Sequence, residues 1–233
     1  MIVRRHHDHL LLVTQPDHAL LSADLMRHWV ADGFPTHPRR EVILLATREH
    51  DAGWAELDAA PTVDRVGKVF DFIQAPAPLR QSVWPRSIQR LADEPYAAAL
   101  VAQHALHVYR DNRSDREWGA FFERIEGLRR AHLARTRLTL DDLASDYFFV
   151  RMGDLLSLFF ANDWPGPRAE GAYVVRVTPG RVSVAPDPFG GLHLPFTLKA
   201  RQIPSRPYTD DADLARALAS APVVTLSGTA LGL

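Results

Sequence analysis

Two textures of apolar and polar positions follow one another along the chain. From Gln15 to about 162 the apolar residues recur at helical spacing; after about 170 they fall in short runs bounded by Gly and Pro. At the start, Met1–Arg5 and His9–Thr14 are β-compatible runs joined by His6-His7-Asp8, which predicts a hairpin over 1–14. Gln15-Pro16-Asp17 then opens a helix to about Ala31, with Leu21, Leu25 and Trp29 on one face. Gly33–Arg39 breaks it, and a second helix is expected from Arg40 to Leu57, its stripe being Ile43, Ala46, Gly53, Trp54 and Leu57. Asp58–Pro85, with four prolines, has no clean period and reads as a long irregular flap.

Helices are expected again over Ser87–Ala92, Pro95–Asp111, Asp115–Leu138 and Leu140–Ala161, the last opened by Thr139 and Asp142 as a capping box. Beyond Trp164-Pro165-Gly166-Pro167 the runs Tyr173–Thr178, Arg181–Ala185, Phe196–Ile203 and Val223–Leu226 read as strands, and Asp210–Ala219 as a helix. The expected fold is therefore mainly α. A helical bundle core over 15–162 carries a small β layer formed by the N-terminal hairpin and the strands of 170–233, all within one domain over 1–233. The hairpin is expected to join that layer, because an isolated hairpin is marginal in water.

Composition narrows the chemistry. Among 233 residues there is no cysteine, which excludes disulfides, thiolate metal sites and Cys nucleophiles. A net charge of −1 gives no bulk attraction to nucleic acid or to an anionic membrane, so neither is an expected partner. No run approaches the roughly 18 apolar residues of a membrane span, and Met1–His9 lacks a secretory apolar region; the expected location is cytoplasmic. There is no phosphate loop, dinucleotide fingerprint or G-x-S-x-G elbow.

What remains are polar residues on apolar helix faces. Asp154 lies in Phe148–Phe160, a segment apolar on nearly every side, and a buried carboxylate must be paired, hydrogen-bonded, metal-bound or protonated. His50 shares the stripe of Ala46 and Trp54, with Asp51 at its edge. His18 precedes Leu21, Ser22 and Leu25 on an inward face, and His104 lies with Leu100, Val101 and Val108 on an alanine-rich helix; His107 is expected nearer the surface. Each alone reads as a satisfied core residue. Together, neutral imidazoles and carboxylates suit a divalent ion such as Fe, Mn, Zn, Co or Ni. Arg110, Arg129, Arg130 and Arg151 are candidate partners for a phosphate, and Trp54 and Trp84 flank the irregular segment. The cluster His6-His7-Asp8-His9 reads as a solvated turn.

The order His18, His50-Asp51, Asp154 resembles the HD-domain superfamily of metal-dependent phosphohydrolases over about residues 15–162. That resemblance implies that His18, His50, Asp51 and Asp154 hold a divalent ion, Mg included. It implies a small-molecule, phosphorylated substrate. His104 would hold a second metal or steady the leaving group, and Glu49 would assist proton transfer. Related helical sites that hold two irons and activate dioxygen give one alternative. A non-catalytic, degenerate HD fold used for binding gives another; Trp54 stands where many members have a basic residue. The β layer offers an edge to a second copy, so a homodimer is a further expectation. Through Gln15–His18, His50–Trp54 and Ala185–Phe189 the whole chain also resembles a bacterial domain family of unknown function.

Overall fold

The computed structural model describes residues 1–164 and 166–233; Pro165, at the expected change of texture, lies outside them. The chain opens as expected with β1 (Ile2–Arg5) and β2 (His9–Val13), an antiparallel hairpin. Its strands are buried on both faces. Ile2, Leu11 and Val13 enter the main core, while Met1, Val3, Leu10 and Leu12 enter a smaller one with Ile203, Tyr208 and Leu214. That is why His9–Val13 reads as a continuous apolar run and not an alternating one.

Helix α1 (Gln15–Arg27) is capped by Thr14, whose hydroxyl accepts the Asp17 N–H. It stops four residues short of Ala31. Helix α2 (Arg40–Glu49) also ends early: His50 caps it, a short 3-10 turn covers Ala52–Trp54, and α3 (Ala55–Ala59) starts anew. The cause is close packing of α4 (Ala77–Arg90). A Cβ at Gly53 would sit 2.0 Å from the Val83 carbonyl oxygen, and the Gly53 N–H donates to Ser87 Oγ at 2.8 Å. A continuous helix would carry this backbone away from α4.

Helix α4 replaces the second half of the expected flap. Pro78 sits in its first turn, and it runs through Pro85 because Val83, Trp84 and Ile88 are buried and hold it. The irregular stretch is thus only 60–76, and it is pinned to β1: the Phe72 N–H donates to the Met1 carbonyl at 2.9 Å, and Asp71 accepts the Val3 N–H at 3.0 Å. Then come α5 (Pro95–Val108), α6 (Gly119–Leu133) and α7 (Leu140–Asn162), the last opened by the expected Thr139–Asp142 capping box.

The C-terminal part contains β3 (Pro167–Glu170), β4 (Tyr173–Thr178), β5 (Arg181–Ala185), β6 (His193–Pro204), α8 (Asp211–Ala219) and β7 (Val223–Gly232). These strands and the hairpin form one seven-stranded sheet, in the order β1-β2-β6-β7-β5-β4-β3, antiparallel except for the β5–β7 pair. It curls into a half-barrel. The expectation of a mainly α chain with a small β layer is therefore corrected: this is an α/β fold. The hairpin does join the sheet, through β2 and β6. The sheet exceeds expectation because β6 and β7 are twelve and ten residues long and pair from Arg201↔Val223 to His193↔Leu231. Helices α1 and α7 lie against it and meet α2 and α5 on their other side. The core that these four helices enclose holds the site.

Candidate metal centre

Four helical segments bring five polar side chains to one point. His18 comes from the first turns of α1, His50 and Asp51 from the broken end of α2, His104 from α5 and Asp154 from α7. Gly153 makes the convergence possible. A Cβ there would lie 2.8 Å from Met26 Cγ and from Thr47 Cγ2, so only glycine lets α7 close on α1 and α2 beside Asp154. The alanines of α5, Ala97–Ala99, Ala102 and Ala105, are fully buried and let that helix approach equally closely.

The reactive nitrogens face inward. His18 Nε2 lies 3.1 Å from Asp51 Oδ2 and 3.6 Å from Asp154 Oδ1. His50 Nε2 is 3.5 Å from each of the same two oxygens, and His104 Nε2 is 3.8 Å from Asp154 Oδ2. Within each of two overlapping groups, His18–His50–Asp51 and His50–His104–Asp154, the ligand atoms lie within 4.8 Å of one another. Most of these separations are too long for hydrogen bonds. His50 Nε2 is buried and has no hydrogen-bond partner among the described residues.

The opposite ring nitrogens are all occupied. His18 Nδ1 meets Ser157 Oγ at 2.6 Å, and Ser157 in turn meets Ser22 Oγ at 2.7 Å. His50 Nδ1 faces the Thr47 carbonyl at 2.7 Å and must donate to it. His104 Nδ1 meets Tyr147 Oη at 3.0 Å. Such partners fix ring orientation and leave each Nε2 lone pair available.

The electrostatics are those of crowded opposite charges. Burial would lower the His50 pKa, but Asp51 and Asp154 outweigh it and push it up to about 9. Burial lowers His104 to about 3, and Asp154 offsets only part of that. Burial would raise both carboxyls. His50 and His18 overcome it at Asp51, and His50, His104 and His18 at Asp154, so both lie below the usual carboxylate range.

Asp51, His104 and Asp154 form part of the wall of a pocket of about 220 Å³. Its other walls include Trp54, Phe72, Trp84, Tyr109, Gln15 and Arg80. The two tryptophans that flank the irregular segment in sequence thus both border this space.

The remaining sequence candidates lie elsewhere. Glu49 pairs with Arg48 Nε at 2.8 Å and belongs neither to the cluster nor to the pocket wall. His107 is half-buried and meets Arg151, and Arg110 at 3.0 Å. Arg151 also pairs with Glu170 at 2.5 Å, Arg129 donates to Gln103 at 2.6 Å, and Arg130 lies 4.0 Å from Glu126. None of Arg110, Arg129, Arg130 and Arg151 lines the pocket; the guanidinium that does is Arg80. Sequence reading missed Arg80, Gln15, Ser157 and Tyr147. Arg80 was hidden by reading 58–85 as irregular. Ser157 and Tyr147 had a usable signal, since they lie three and seven residues from Asp154, on the same side of a helix.

The profile described as a protein of unknown function (DUF3891) matches residues 1–205, and the chain belongs to that family. The match ends before α8 and β7. No curated protein and no solved structure matches the chain. The family's Ala185–Phe189 segment has a structural task here: Pro188 accepts the Val30 N–H at 2.8 Å, and the fully buried Phe189 packs on Trp29. No helix of the described residues is long and apolar enough to cross a membrane.

Proposed function

We propose that the protein is a metal-dependent hydrolase acting on a small phosphoester. One observation carries the reading: His50 Nε2, buried and without a partner, faces two carboxylates at 3.5 Å beside two further imidazoles. Burying an unsatisfied nitrogen among charges is costly, and a cation shared by all five groups removes the cost. The donor set of three imidazoles and two carboxylates suits Fe, Mn, Co, Ni or Zn, and suits Mg less well. His18, His50, Asp51, Asp154 and His104 would hold the ion. Bound there, a divalent metal supplies Lewis acidity toward a phosphoryl oxygen and a water of lowered pKa.

The chain's own groups supply the rest. Ser157, the Thr47 carbonyl and Tyr147 keep the three imidazoles aimed. Trp54, Trp84 and Tyr109 limit water in the pocket, and Arg80 brings positive charge to it. In the reaction a water oxygen bonds to phosphorus, the phosphorus–oxygen bond to the alcohol breaks, and one water proton ends on that alcohol. The choice of a phosphoester rests on the HD-like order of the ligands together with Arg80.

The test is elemental analysis of untagged protein purified without chelator, beside the Asp154→Asn variant, followed by assays on chromogenic phosphoesters. Near-stoichiometric divalent metal in the wild type, its loss in the variant, and metal-dependent hydrolysis are expected. A wild type that takes up no metal even after loading would overturn the proposal.

A further inference from the structure

The pocket beside the cluster has a chemistry of its own. At about 220 Å³ it falls below the roughly 300 Å³ at which pockets for drug-sized ligands begin. Its walls are largely flat rings, with the Trp84 ring 6.0 Å from Tyr109 and the Trp54 ring 6.4 Å from Phe72. Two polar groups in the wall are unsatisfied. Arg80 lies over the faces of Tyr109 and Trp118, at 5.7 and 5.2 Å, and its buried Nε has no hydrogen-bond partner among the described residues. Gln15 is 1% exposed, and its buried Oε1 likewise has no partner. Buried donors and acceptors left open in a pocket wall indicate what a ligand must bring.

We infer that Arg80 and Gln15 are the specificity-determining residues of this site, and that they select a small aromatic phosphomonoester with an N–H or O–H donor on its ring. The flat body fills the space between the aromatic walls. Arg80, already oriented by Tyr109 and Trp118, offers its Nε–H to an anionic oxygen, and Gln15 Oε1 accepts the ring's donor. A nucleotide-sized ester is too large for the cavity, and an aliphatic one wastes the rings. The scissile phosphate rests on the hydrolase reading; the aromatic body, the anion and the donor rest on the pocket alone.

Binding can be read without turnover, from the fluorescence of Trp54 and Trp84. Metal-loaded and chelator-treated protein are each titrated with phenyl phosphate, 3- and 4-hydroxyphenyl phosphate, phenol and inorganic phosphate. Phenyl phosphate is expected to bind at least about tenfold tighter than phenol or inorganic phosphate, and Arg80→Met to remove about tenfold of that affinity. At least one hydroxyphenyl phosphate should bind several-fold tighter than phenyl phosphate, a gain absent in Gln15→Leu. Thermal melting of both variants guards against a folding defect, and the comparison of ligands on the wild type needs no variant. If phenyl phosphate binds no tighter than inorganic phosphate, or if folded Arg80→Met binds it as the wild type does, the inference is overturned. Arg80-dependent binding by a protein that takes up no metal would sink the hydrolase and leave this inference standing.

Discussion

Helix α7 carries two buried carboxylates eight residues apart, about 12 Å along its axis, and they live in opposite surroundings. Asp146 is fully buried and saturated. Arg39 grips it with Nε at 2.5 Å and Nη2 at 3.0 Å, the Tyr96 hydroxyl donates to it at 2.8 Å, and His37 Nε2 lies 3.3 Å away. Its charge is matched by one guanidinium. Asp154 is reached by three imidazoles, none closer than 3.5 Å, and shares them with a second carboxylate. Burial of a carboxylate therefore says little by itself. What separates a lock from a site is whether the surrounding donors are used up.

The largest expected effect is on the lock. Asp146→Ala removes one partner of a buried pair and strands Arg39, which should cost about 3 kcal/mol or more of folding stability in urea titrations. Asp154→Asn should change the stability of the chelator-treated protein far less, because it relieves repulsion from Asp51. Equal losses in the two variants would erase the distinction between them.

Next in size is Gly153→Ala. The new methyl meets Met26 and Thr47 at 2.8 Å, and overpacking of this kind costs about 1–3 kcal/mol. It should also spread α7 from α1 and α2 and weaken metal uptake, so calorimetry and metal titration should move together. A variant with wild-type melting would show that α7 can shift without strain. Smaller still is Tyr147→Phe, which strips the partner from His104 Nδ1. Stability should fall by about 1 kcal/mol, while affinity for the metal falls about 10-fold or more. Unchanged affinity would mean that His104 needs no help to stay aimed.

The same contrast explains what could be read from sequence. His18, His50, Asp51, His104 and Asp154 stood out because each is a polar residue on an apolar helix face, a pattern set by local periodicity. Asp146 sits in a similar pattern two turns earlier and did not stand out, because its meaning depends on Arg39, 107 residues away in the chain. The sheet was underestimated for a related reason. Ser227-Gly228-Thr229-Ala230 has none of the β-branched and aromatic density of a strand; it is extended because β5 and β6 pair with it on either side. The break at His50 was invisible too, since only the approach of α4 makes Gly53 decisive. Local spacing found the ligands, and long-range packing decided their geometry.

The weakest expected effect lies at the outer end of the His104–Tyr147 contact. His107, beside Tyr147, is held near 4 by burial and by the neighbouring charges of Arg151 and Arg110. Its nitrogen accepts from those guanidiniums and so must stay neutral in the folded chain. The unfolded chain protonates its histidine near 6.5, before the folded one does. Stability from this group is thus complete above about pH 6.5, falls as the pH drops toward 4, and levels off below. The half-exposed position reduces the size of the effect. His107→Gln keeps an acceptor that cannot protonate in this range, so its stability should decline less than that of the wild type between pH 6.5 and 4. Parallel pH profiles would mean that Arg151 and Arg110 swing away as soon as the imidazole charges, and that the arrangement behind His104 is softer than the one around Asp146.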